Sequence, residues 1–188
     1  FSRDVLFQGR ISSESYRLLS ESDLGSNAGA KISQAIGDLP AGGGVIDASS
    51  LVGAQTWSAD PFTGVTKPIH LILGVGTTTI SANVTIPANV TLDFGRGAIL
   101  SPSSGITLTI ASATIRASLT QIFAGAGTVA FTAIGSGAGY HSGTVYPEWW
   151  GAVADYATDC GPALSNAINS GARRILLSGG GYGIGTPV

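Results

Sequence analysis

The chain holds one cysteine and no methionine in 188 residues, and only 11% of it is charged. A lone Cys160 excludes an internal disulfide framework and suits a small buried side chain. The charged fraction lies well below the roughly 25% of ordinary soluble domains. Nine basic and eleven acidic residues leave a net charge of −2, so the basic footprint of a nucleic-acid partner is missing. No apolar run approaches the roughly 20 residues that span a bilayer, so no membrane span is expected. In place of charge stand 28 glycines and many Ser, Thr and Ala residues, a surface suited to close packing against other molecules.

The pattern changes twice along the chain. "VLFQG" (5–9) resembles an engineered protease cleavage site, with Arg10 where such sites carry Pro. Residues 1–22 are therefore expected to be a tag remnant or a flexible N-terminal arm. Residues 11–39 read as helical, with Ile32, Ala35, Ile36 and Leu39 on one face, Asn27 as N-cap and "PAGGG" ending the helix. From Gly44 to about Tyr146 follow short β-type runs: "VIDA", "PIHLIL", "TTISANVTI", "NVTLDF", "AIL", "ITLTI", "QIFAG" and "TVAFTAI". A sandwich or a barrel would give the same crude count. Few Asn-Gly or Asp-Gly hairpin signals join the runs, however, and β-branched triplets recur with small residues between them. That favours a parallel β-solenoid of four or five coils, each about 20 to 25 residues long. Helical character then returns, with Leu164, Ala167 and Ile168 on one face, Pro162 in the first turn and Asp159 placed to cap. "RRILLSGGGYGI" reads as a strand leading into a glycine turn.

The two helical regions repeat one another. "DLGSNAGAKISQAI" (23–36) aligns without gaps to "DYATDCGPALSNAI" (155–168). Asp23 matches Asp155, Asn27 matches Asp159 and Gly29 matches Gly161. Ser33, Ala35 and Ile36 match Ser165, Ala167 and Ile168. Both copies read as capped helix, glycine turn and first strand. A helix in that place covers an apolar end of a solenoid that would otherwise expose core and strand edges. The expected organisation is a helix-capped solenoid over 23–147 and a second helix-plus-strand unit over 148–188.

"WGAVADYATDCGPALSNAI" resembles the opening motif of the pectate-lyase-like right-handed parallel β-helix superfamily. Trp150, Gly151, Ala152, Asp155, Thr158, Asp159, Ala163, Ala167 and Ile168 stand at matching positions. Ala154 and Tyr156 replace the glycines that usually flank Asp155, and Cys160 replaces a second Asp. The preceding "VTLDFGRGAILSPSSGITLTI", "QIFAGAGTVAF" and "VYPEWWGA" resemble the leading segment of bacterial and phage β-helix proteins, and the likeness covers 23–188. It implies a mainly β, right-handed parallel β-helix with an N-terminal helical cap and a second cap-like helix. It implies no single activity, because the superfamily holds polysaccharide lyases, hydrolases, phage tailspikes and non-catalytic surface proteins.

The chemistry expected of the residues is sparse. Lyases of this fold gather acidic Ca²⁺ ligands beside a basic residue, and hydrolases pair carboxylates. Between Gly97 and Pro147 the one charged residue is Arg116, and the earlier coils hold Asp47, Asp60, Lys67, Asp93 and Arg96. Asp93 and Arg96 are expected to pair, and His70 and His141 to be ordinary packed or surface residues. Asp23, Asn27, Asp155 and Asp159 read as loop and cap groups. No catalytic constellation, metal site or cofactor is implied. Tyr146, Trp149, Trp150, Ile175 and Leu177 are the candidates for assembly or glycan contact, with ordinary core at the junction as the competing reading of the three aromatic residues. The sequons at Asn83 and Asn89 read as strand residues unless a secretory host glycosylates them. The expectation is an extracellular, cell-surface or phage-borne structural protein whose partner is itself, with polysaccharide as a further partner. The competing expectation is the leading part of a polysaccharide-active enzyme or tailspike, or a glycan-binding adhesin.

Overall fold

The structure, a computed structural model, describes residues 15–111, 114–132 and 143–188. It is mainly β, with every strand pair parallel and each strand lying on its equivalent one coil away. The elements run β1 (Tyr16–Leu18), α1 (Ala28–Asp38), β2 (Gly44–Ala48), β3 (Gln55–Trp57), β4 (Ile69–Leu73), β5 (Gly76–Ile80) and β6 (Val84–Ile86). They continue with β7 (Val90–Phe94), β8 (Ala98–Pro102), β9 (Thr107–Ala111), β10 (Thr114–Arg116), β11 (Thr128–Thr132), β12 (Thr144–Val145), α2 (Gly161–Asn169) and β13 (Arg174–Ile175). A short 3-10 helix, Pro147–Trp150, follows β12. Three sheets form the walls of the solenoid, β1-β2-β4-β7-β10, β3-β5-β8 and β6-β9-β11, and β12 pairs with β13. About four turns are present.

The alternation of apolar and small polar residues dictates this arrangement. In β4 and β7 the pattern buried, half-buried, buried puts Ile69, Leu71 and Leu73 in register with Val90, Leu92 and Phe94. The inward row Ile46, Leu71, Leu92 and Ile115 thus stacks like on like through the coils. None of these strands could bury its apolar side alone, and stacking completes the core. Where a wall lacks a strand, a side chain takes its place on the ladder. Asp60 accepts the N–H of Thr85 at 2.9 Å, and Asn83 accepts that of Thr107 at 2.9 Å. Asn89 donates to Val65 and Lys67 carbonyls. Both sequon asparagines therefore serve as turn rungs.

α1 packs on β2 and β3 as the expected end cover. Its buried face is Ile32, Ala35 and Ile36, with Leu39 just beyond. Asn27 accepts the Ala30 N–H at 3.1 Å, which is the capping bond the sequence asked for. At the other end Lys67 donates to the Ile36 and Leu39 carbonyls, a cation where the helix leaves its last oxygens unpaired.

Several local readings need correction. Tyr16–Leu18, in the stretch read as helix and within the expected arm, is a strand that pairs with β2. Residues 11–14 lie outside the described residues. "QIFAG" forms no strand but one bridge, Leu100 to Phe123. The short strands β3 and β10 carry too few residues to show a period. Asp93 does not pair with Arg96. Its carboxylate meets His70, one coil below, at 3.2 Å. Ile168 does not share the buried face of α2, which is Ala163 and Ala167, and is 51% exposed.

Candidate functional site

The second helical unit repeats the first in space as well as in sequence. In the first, β1 leads to α1 and returns to β2, with Tyr16 opposite Val45. In the second, β12 leads through the 3-10 helix and α2 to β13, with Thr144 opposite Arg174. The matched Gly29 and Gly161 have the same reason for being glycine. A Cβ on Gly29 would lie 3.1 Å from the Trp57 backbone in β3. One on Gly161 would lie 2.3 Å from the Thr186 carbonyl. The segment around Thr186 therefore stands where β3 stands in the first unit, and the repeat extends beyond the aligned residues. Asn27 bonds Ser58 beside β3, and Asp159 correspondingly bonds Thr186.

An aromatic junction joins this unit to the coils. Trp149 is buried, and Tyr146 and Trp150 are half-buried. The Phe123 ring lies 6.0 Å from Phe94, 6.3 Å from Trp149 and 5.3 Å from Trp150, with Phe131 6.4 Å away. Tyr146 lies 5.3 Å from Trp149. The Trp149 indole donates to the Ser118 carbonyl, and its own carbonyl accepts from both Ile122 and Phe123. These rings spend their faces on one another. Ile175 is half-buried on Val145, whereas Leu177 is exposed.

The acidic loop has two sorts of carboxylate. Asp155 is exposed and accepts from its own loop, the N–H groups of Ala157 and Thr158 and the Thr158 hydroxyl. The Thr158 bonds, chiefly, hold its acid at about 2. Asp159 reaches across to the chain's last segment. It accepts the Thr186 hydroxyl at 2.5 Å, the N–H groups of Gly185 and Thr186, and that of Gly161 at the start of α2. The Thr186 hydroxyl, chiefly, and these N–H groups depress its pKa strongly. The cap residue of α2 is not the expected Asp159 but Cys160, which makes no capping bond, and Asp159 reaches the first helical N–H from one position further out. Asp23 accepts from the Ser20 N–H as a turn group.

Sequence reasoning missed Glu148. It sits in the 3-10 helix, 6% exposed, and its Oε1 accepts from the Tyr182 hydroxyl at 2.5 Å and from the Ser178 hydroxyl. Burial pushes its pKa up, but the two hydroxyls outweigh that and leave it below the ordinary value. No spacing rule connects residues 148, 178 and 182, because the coil return brings them together.

The charged residues of the coils also converge more than their spacing suggested. On the outer side of the first sheet, Leu18, Asp47, Ile72, Asp93 and Arg116 fall in one register row. Tyr16, Val45, His70, Thr91 and Thr114 form the row beside it. Tyr16 donates to Asp47 at 2.7 Å. Among the described residues no group of three or more His, Cys, Asp or Glu is arranged to hold a metal, and no helix is long and apolar enough to cross a membrane. His141 lies outside the described residues. No protein-family model, curated protein or solved structure matches the chain.

Proposed function

We infer that the chain is a non-catalytic structural module of an extracellular or particle-borne assembly, whose solenoids associate head-to-tail. The observation that carries this reading is the distribution of exposed large apolar side chains. Val153, Tyr156, Ile168, Leu176, Leu177, Ile184 and Val188 all lie in the second unit, against Leu18, Leu24, Val52, Val75 and Leu119 in all the described residues before it. Beside them the outer edge of β13 stacks on no strand among the described residues. An unpaired parallel edge flanked by leucines is a template for a further coil, and a copy of the chain can supply one. A heterologous contact of that kind propagates. The resemblance to pectate-lyase-like β-helices supports the same reading, since their coils stack in this manner. Sedimentation velocity and electron microscopy over rising concentration test it. Growing head-to-tail polymers are expected, and monodisperse monomers at the highest concentration reject it.

A second reading rests on the polar rows of the first sheet, which put Asp47, His70, Asp93 and Arg116 on one surface. Such a surface suits contact with a polysaccharide, as in the lyases, hydrolases and tailspikes the sequence resembles. Under that reading the chain is a leading segment or an adhesin. A glycan array decides it, because the first reading expects no saturable glycan binding.

A further inference from the structure

The repeat gives each unit a segment that crosses its helix N-terminus, but the two segments are held differently. In the first unit that segment is β3, which is covered by β5 on its far side and buries Trp57 completely. In the second it is 178–186, and among the described residues no strand lies on its far side. Five glycines and Ser178 make it too poor in apolar side chains to hold by burial. It is fastened instead by polar bonds at its two ends. Glu148 takes the hydroxyls of Ser178 and Tyr182, and Asp159 takes Gly185 and Thr186. Between them the N–H groups of Tyr156 and Cys160 donate to the Gly181 and Gly183 carbonyls.

The fit under the segment is close and specific. Gly181 lies flat against the Tyr156 ring, where a Cβ would come within 1.9 Å of it. Tyr156 itself holds a φ of 62°, a strained setting for a non-glycine residue. Beneath lies a small satellite core of Ala152, Cys160 and Ala163, against which Tyr182 packs, separate from the main core. Glu148 Oε2 is buried without a hydrogen-bond partner among the described residues, so losing the two hydroxyls on Oε1 would strip a buried carboxylate of its side-chain donors.

We propose that residues 178–186 form a strap that opens and closes over Cys160 and the 154–160 edge while the coils stay folded, with Glu148 and Asp159 as its two clasps. The opening uncovers a parallel edge, the Tyr156 and Cys160 N–H groups, and the chain's single thiol. This holds whether or not the chain polymerises.

Labelling of Cys160 with a small alkylating reagent at neutral pH tests the strap, alongside site-resolved amide exchange at Tyr156 and Cys160. Ser178→Ala combined with Tyr182→Phe empties one clasp from the strap side, and Thr186→Val weakens the other. Each is expected to raise labelling and both exchange rates roughly tenfold or more, with unchanged circular dichroism and unchanged exchange in β4 and β7. Asp38→Asn, an exposed residue at the far end of α1, should leave the labelling rate as in the parent. Protection unchanged in the variants overturns the proposal, and so does labelling that rises only in step with exchange in β4 and β7.

Discussion

The first and second helical units share a plan and differ in what holds them. In the first, α1 is fixed by burial, with Ile32, Ala35 and Ile36 pressed on β2 and β3 and a side-chain cap at Asn27. In the second, α2 buries only Gly161, Ala163 and Ala167, leaves Ile168 in solvent and has no side-chain bond from its cap residue. Its attachment comes from the aromatic junction below and from carboxylate bonds to the segment above. One motif thus serves as an end cover in one place and, in the other, as a coil within the stack that carries an apolar surface. The shared part is the turn geometry at Gly29 and Gly161, and the variable part is the amount of apolar surface behind it.

The sharpest way to break this comparison is at the junction. Phe123→Ala removes the ring that touches Phe94, Phe131, Trp149 and Trp150, and should cost about 3–5 kcal/mol in urea unfolding. Next comes a matched pair of helix substitutions. Ile36→Ala in α1 should cost about 2–5 kcal/mol, whereas Ile168→Ala at the aligned position of α2 should stay within about 0.5 kcal/mol. Equal effects would mean that the two helices are held alike. Asn27→Ala should then cost about 1 kcal/mol through the lost cap.

The smallest effect is electrostatic. Asp155, Asp159 and Glu148 all have folded pKa values below their ordinary ones. Their contribution is therefore complete above the unfolded values, near pH 4, and is lost as pH falls from there through the folded values. Asp159→Asn should lower the unfolding midpoint at pH 7, and its difference from the parent should shrink towards pH 2. A difference that grows on acidification would contradict the sign.

Much of this fold can be read from the sequence because the solenoid repeats its demands locally. Val90, Leu92 and Phe94 alternate within one strand, and the gapless match of 23–36 to 155–168 announces two equivalent caps. What escapes is whatever depends on the residue one coil away. β1 carries three residues and takes its identity from β2. Asp93 found His70 rather than Arg96, because its neighbour in space is 23 residues distant in sequence. Glu148 stands out in no way in "YPEWWGA", because only the return of the chain sets Ser178 and Tyr182 upon it. Ile168 kept the helical spacing of a core residue, but no coil among the described residues covers it. The aromatic cluster was visible as a cluster, and packing as core at the junction was one of its two readings.

Sedimentation velocity of the purified chain against a Leu176→Glu, Leu177→Glu variant, across rising concentration at neutral pH, tests the assembly reading most directly. The parent is predicted to form growing polymers, whose aligned fibres give an axial spacing of about 4.8 Å, while the variant stays monomeric. A parent that remains a monodisperse monomer at every concentration would contradict the account.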